Sequence, residues 1–148
     1  MARRAGLTLV FLSAAAMWSH SSLADGAIAV GMPVANDPSR GFRHAQEVDQ
    51  PDADTAASKA MSNCQAARNP KTGAACRLIG TFHNQCVAVA VNGDGADAYL
   101  PVIAAGWAIA PDTEAAISGA LARCETMRKG RKQPCQIEGK VLCDGSAK

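Results

Sequence analysis

Cys64, Cys76, Cys86, Cys124, Cys135 and Cys143 are the side chains of this sequence best equipped for chemistry, and three chemistries compete for them. Metal ligation fits poorly: no CxxC pair occurs, and the intervals do not resemble the short ligand pairs of zinc sites. Nucleophilic catalysis would need a free thiol of lowered pKa beside a base. An even number of cysteines in a small exported chain reads instead as a disulfide framework, which leaves no thiol over.

The other candidates are weaker. His44 and His83 stand apart from any arranged partner, and no serine sits in a GxSxG setting, so both histidines read as surface or structural groups. The run Asn92-Gly93-Asp94-Gly95-Ala96-Asp97 offers oxygen ligands around glycines, as a calcium loop does. However, Ala96 and Ile103 occupy positions where such a loop needs an oxygen ligand and a glutamate. A turn explains it better, since Asn, Asp and Gly tolerate positive φ. Arg128, Lys129, Arg131 and Lys132, grouped around Gly130, form the densest charge feature. They suit the carboxyl end of a helix, with an anionic partner surface as the functional alternative. No catalytic residue, cofactor or metal is assigned.

The amino terminus supplies the compartment. Arg3 and Arg4 precede an apolar run from Leu7 to Trp18, then Ser22-Leu23-Ala24 and Asp25. This is the order of a secretory signal cleaved after Ala24, and the run is shorter than the roughly 20 apolar residues that span a bilayer. Residues 1–24 are thus expected to be removed, leaving 25–148 as a single domain without a transmembrane segment, periplasmic or secreted. Loss of Arg3 and Arg4 brings the 15 Lys and Arg to parity with the 13 Asp and Glu. The basic pI of about 8.3 therefore gives no reason to expect a nucleic acid partner.

The elements that must position these residues occur twice. Pro51, Asp52, Ala56, Ser58, Ala60 and Cys64 correspond to Pro111, Asp112, Ala116, Ser118, Ala120 and Cys124; GAIAV (26–30) corresponds to VAVAV (87–91); and Cys76, Leu78, Gly80 and Phe82 correspond to Cys135, Ile137, Gly139 and Val141. Repeat one covers about 26–84 and repeat two about 86–143. Each opens with an alternating segment that predicts a strand with one buried face, and GWAIA (106–110) predicts a further strand. Asp52 and Asp112 are placed as helix N-caps, with Asp54 and Glu114 in the first turns. Ala57, Ala60, Met61 and Cys64, like Ile117, Ala120, Leu121 and Cys124, form one helical stripe.

CRLIGTF and CQIEGKV follow as strands, with Gly80 and Gly139 expected to allow close approach of another element, and His83-Asn84 to form a hairpin turn. The expected fold is α+β: an antiparallel sheet with two helices packed on it, the halves pseudo-symmetric and stapled by disulfides. The cysteines alone leave connectivity open. Symmetry favours joining each helix to its next strand, Cys64 with Cys76 and Cys124 with Cys135, so that Cys86 and Cys143 would tie the halves together. Each short bridge is worth about 3 kcal/mol by loop-closure entropy, a large share in a domain so rich in alanine.

The order GAIAV, an alanine-rich helix ending in Cys64, CRLIGTFHNQCVAVAV, a second such helix ending in Cys124 and a terminal strand ending in Cys143 resembles the bacterial domain of unknown function family numbered 4189. The resemblance covers Gly26 to Cys143 and implies an exported α+β protein with no agreed catalytic residues. The first half departs from that pattern, because Phe42–Val48 is a polar FRHAQEV where an aromatic-glycine strand is usual. Function is expected to be non-enzymatic recognition of an unknown protein or envelope component, for instance a secreted toxin. The alternatives are an envelope hydrolase using Asp94, Asp97 and Glu138, and a released virulence or stress factor.

Overall fold

In the segment VAVAV alanine alternates with valine, so what alternates along the strand is size and not polarity, and both faces can be buried. The computed structural model describes residues 25–31, 42–66, 76–92, 104–128 and 133–147. Its elements are β1 (Asp25–Gly31), β2 (Arg43–Gln50), α1 (Ala53–Gln65), β3 (Cys76–Phe82), β4 (Cys86–Asn92), β5 (Ala104–Ala110), α2 (Thr113–Arg128), β6 (Gln136–Ile137) and β7 (Leu142–Cys143). Residues 1–24, expected to be a signal segment, and Asp94, Asp97, Lys129, Gly130, Arg131 and Lys132 lie outside the described residues.

The fold is α+β with antiparallel strands, divided between two sheets where one was expected. β1 is flanked by β2 and β3; β4 is flanked by β5 on one side and by β6 and β7 on the other. The reason lies in the two central strands. Every described position of β4, and all of β1 after Asp25, is buried, and a strand covered on both faces needs a layer on each side. Ile28 and Val30 of β1 join Phe82, Val87, Val89, Val91 and Ala105 in a core between the sheets. On the outer faces, Ala27 and Ala29 meet Ala56, Ala60 and Cys64 of α1, while Ala88 and Ala90 meet Ala116, Ala120 and Cys124 of α2. The order of layers is helix, sheet, sheet, helix.

Small residues on both sides of the sheet–helix contacts let the helices sit close. A Cβ on Gly106 would run into the α2 backbone at Ala120 and Cys124, so β5 needs glycine there. The centres of the helical stripes are Ala56, Ala60 and Cys64, and Ala116, Ala120 and Cys124; Ala57 and Met61 are only half-buried at the margin. The caps are as expected. Asp52 Oδ1 accepts the Thr55 N–H at 2.7 Å, and Asp112 Oδ1 accepts that of Ala115 at 2.8 Å.

Three local expectations are corrected. His83-Asn84 is no hairpin turn, because β3 pairs with β1 and β4 pairs in the other sheet; this link carries the chain from one sheet to the next. CQIEGKV is a broken strand, β6 and β7, interrupted at Gly139, whose φ is +71°. Neither Gly80 nor Gly139 marks a close approach. A Cβ at Gly80 would make ordinary contact with Ile109, 3.7 Å away in the other sheet, and one at Gly139 would meet nothing. The polar FRHAQEV segment does form a strand, β2, pairing with β1 through Val30 with His44 and Ile28 with Gln46.

Candidate functional site

The cysteines form three bonds: Cys64 with Cys76, Cys124 with Cys135, and Cys86 with Cys143. The first two close α1 onto β3 and α2 onto the segment leading to β6. The third does not tie the halves together. It joins directly opposed residues of β4 and β7 inside the second sheet.

Because His44 and Gln46 pair with Val30 and Ile28, their side chains share the face of β2 that looks toward the other sheet. At the flank of the inter-sheet layer they line a shallow groove of about 220 Å³ with Ala45, Lys140 and Leu142. His44 Nε2 lies 3.7 Å from Glu138 Oε2, in the interruption between β6 and β7. Burial pushes the His44 imidazole below its ordinary pKa, while the Glu138 carboxylate works against that. Among the described residues, His44 Nδ1 and Gln46 Nε2 are buried without a hydrogen-bond partner, and Glu138 Oε2 has only its ion pair with His44. Two such atoms on one groove are unusual, since most buried polar groups are paired. The groove thus offers an amide donor, an imidazole and an ammonium beside apolar Ala45 and Leu142, with the Glu138 carboxylate next to His44, a set suited to holding a polar ligand.

His83 lies at a second polar corner. Its Nδ1 is 3.2 Å from Asp25 Oδ1 and 3.9 Å from Asp144 Oδ2. Asp144 has no exposed surface, and its Oδ1 accepts the N–H of Asp49, which has φ 56°. Asn84 Oδ1 accepts both the N–H and the hydroxyl of Ser146, at 3.0 and 3.2 Å. This corner holds the C-terminal segment against the inter-sheet link and is structural in character.

The structure places the remaining candidates as follows. Arg128, the described member of the basic run, pairs with Glu125 and donates to the Gln133 carbonyl at 2.9 Å, so it serves the end of α2. Glu125 Oε1 accepts the Cys135 N–H at 2.7 Å, and that bond holds the carboxyl below the usual range. Asn92 donates to the Gln133 carbonyl, which gives the first residue of the Asn-Gly-Asp-Gly run a structural role. Of the three carboxylates considered for hydrolysis, Glu138 is the described one, and it meets His44 beside the groove. Among the described residues no three His, Cys, Asp or Glu side chains are gathered as a metal-ligand set, and no helix is long and apolar enough to cross a membrane.

Sequence reasoning missed the pairing of His44 with Glu138. The two are far apart in the chain, and the only signal was the polar FRHAQEV segment where an aromatic-glycine strand is usual.

Three disulfides in a domain of this size define a stapled α+β protein of the kind that folds in an oxidising compartment. The profile of one family matches residues 26–142: the domain of unknown function DUF4189. The chain belongs to that family. No curated protein and no solved structure gives a match.

Proposed function

We infer that this chain is an exported, non-enzymatic recognition protein, periplasmic or secreted once residues 1–24 are removed, and that it binds its partner through the groove of His44, Gln46 and Lys140, with Glu138 beside it. One observation carries the reading: two buried polar atoms, His44 Nδ1 and Gln46 Nε2, have no hydrogen-bond partner among the described residues and belong to side chains that line one opening between two covalently stapled layers. Such atoms cost on the order of 1–3 kcal/mol each when left unpaired, and a ligand that satisfies them recovers that cost on binding. Stapling also supports recognition, because a preorganised site loses little conformational entropy when it is filled. The likeness of the two halves fits duplication of a strand-strand-helix-strand unit, in which the second copy supplies Glu138 and Lys140 and the first supplies His44 and Gln46.

The partner is proposed to be a protein or envelope component, a secreted toxin being one form. The test immobilises oxidised protein and the variant Gln46→Ala/Lys140→Glu, and passes envelope extract over both. Retention of a component by the wild type and its loss from the variant is expected. Equal retention by both, or retention by neither, overturns the reading.

A further inference from the structure

We propose that Cys86–Cys143 is a thiol–disulfide exchange site, addressed by a dithiol oxidoreductase through Cys143, while the other two bonds are structural.

Three features single this bond out. The first is access. Cys64, Cys76, Cys124 and Cys135 are all buried, at 2%, 8%, 0% and 7% exposure, and Cys86 is at 0%, whereas Cys143 is only half-buried. Exchange requires an incoming thiolate to reach one sulfur, and Cys143 is the one residue of the six that is not buried.

The second is the fate of the leaving sulfur. The Thr113 hydroxyl lies 3.7 Å from Cys86 Sγ and 3.4 Å from Cys143 Sγ, and a disulfide has no S–H, so the hydroxyl is the donor. Thr113 is also the first residue of α2, whose amino end favours negative charge. A thiolate released at Cys86 would therefore be stabilised by a hydroxyl donor and by the helix dipole together, and a better-stabilised thiolate leaves faster. Neither Cys64–Cys76 nor Cys124–Cys135 involves a residue in the first turn of a helix; both draw on residues at helix carboxyl ends.

The third is what the bond restrains. β7 is two residues long and meets β4 at Cys86–Cys143 and Val87–Leu142 alone. Leu142 lines the groove, and Lys140 and Glu138 precede it. Opening the bond would loosen the strand that carries one wall of the groove.

The chemistry balances as follows. A thiolate of the oxidoreductase attacks Cys143 Sγ, forming a mixed disulfide. The Cys86–Cys143 bond breaks with its electron pair on Cys86 Sγ, which leaves as a thiolate beside Thr113. The second thiolate of the oxidoreductase then attacks its own sulfur in the mixed disulfide and releases Cys143 as a thiolate. The dithiol ends as a disulfide, two electrons have passed to the chain, and Cys86 and Cys143 take up two protons to become thiols.

The test treats native, fully oxidised protein with graded dithiothreitol, quenches with N-ethylmaleimide and maps labelled cysteines by peptide mass spectrometry. Cys86 and Cys143 should label at a reductant concentration at least about tenfold below that needed for the other four, a gap equivalent to about 1.4 kcal/mol. Joint labelling of all six, or earlier labelling of either other pair, overturns the proposal. A dithiol oxidoreductase lacking its resolving cysteine should be trapped on Cys143, and trapping on any other cysteine overturns it too. Thr113→Val should slow reduction several-fold while Thr113→Ser restores the rate. A Thr113→Val rate equal to the wild type would remove the hydroxyl's part in the scheme.

Discussion

The Asp144 carboxylate, without exposed surface, accepts the backbone N–H of Asp49 at 3.0 Å. Asp49 lies near the end of β2 in one sheet and Asp144 follows β7 in the other, so this hydrogen bond links the two sheets at the corner where His83 also meets Asp25 and Asp144. Removing the acceptor breaks this part-buried hydrogen bond and leaves the Asp49 N–H without it. Asp144→Ala is expected to lower stability by about 1–3 kcal/mol in urea unfolding, with Asp144→Asn, which keeps the acceptor, losing less. Equal losses in the two variants would show that the charge matters more than the bond.

The His44 pair predicts a pH dependence. Burial lowers the folded imidazole below its ordinary 6.5, so the unfolded chain takes up the proton first as pH falls. The contribution of neutral His44 is then complete above 6.5 and is lost as pH drops toward the lower folded value. The urea midpoint should fall between about pH 7.5 and about pH 5.5, and His44→Gln should reduce that fall. Parallel curves for wild type and variant would contradict the assignment.

Glu125 predicts a second, more acidic window. The Cys135 N–H holds its carboxyl below the ordinary 4.5, against the opposing effect of desolvation and with help from Arg128. Stability from this group is present above 4.5 and is lost as pH falls through the lower folded value. Glu125→Gln should therefore make acid unfolding below about pH 4.5 less steep, as followed by circular dichroism.

Two glycine substitutions separate close approach from mere sequence likeness. Gly106→Ala drives a methyl into the α2 backbone and should destabilise by about 1–3 kcal/mol or more, read as a lowered Tm. Gly80→Ala places its methyl at ordinary contact distance from Ile109 and should change Tm much less. The sequence alone pointed to Gly80, because it recurs at the matching position as Gly139. It had no means of marking Gly106, since the backbone that crowds it belongs to α2.

The same contrast runs through the whole domain. Cap residues, helix stripes and strand periods were legible because they depend on neighbours within a few positions: Asp52 with Thr55, Asp112 with Ala115, Ala60 with Cys64. The division into two sheets was hidden, because GAIAV reads alike whether its alanine face meets a helix or water. The break at Gly139 and the crossing at Asn84 were hidden for a similar reason, each depending on what β4 pairs with.

By itself the sequence determined a family, an even set of cysteines and the local order of strands and helices, since composition and short-range periodicity are properties of the chain. Tertiary structure alone decided that His44 faces Glu138, that Cys86 opposes Cys143 within one sheet, and that Arg128 is spent on Glu125 and Gln133. Those pairings join residues from different elements, and no local preference specifies which buried surfaces will find each other when both faces of a strand are apolar.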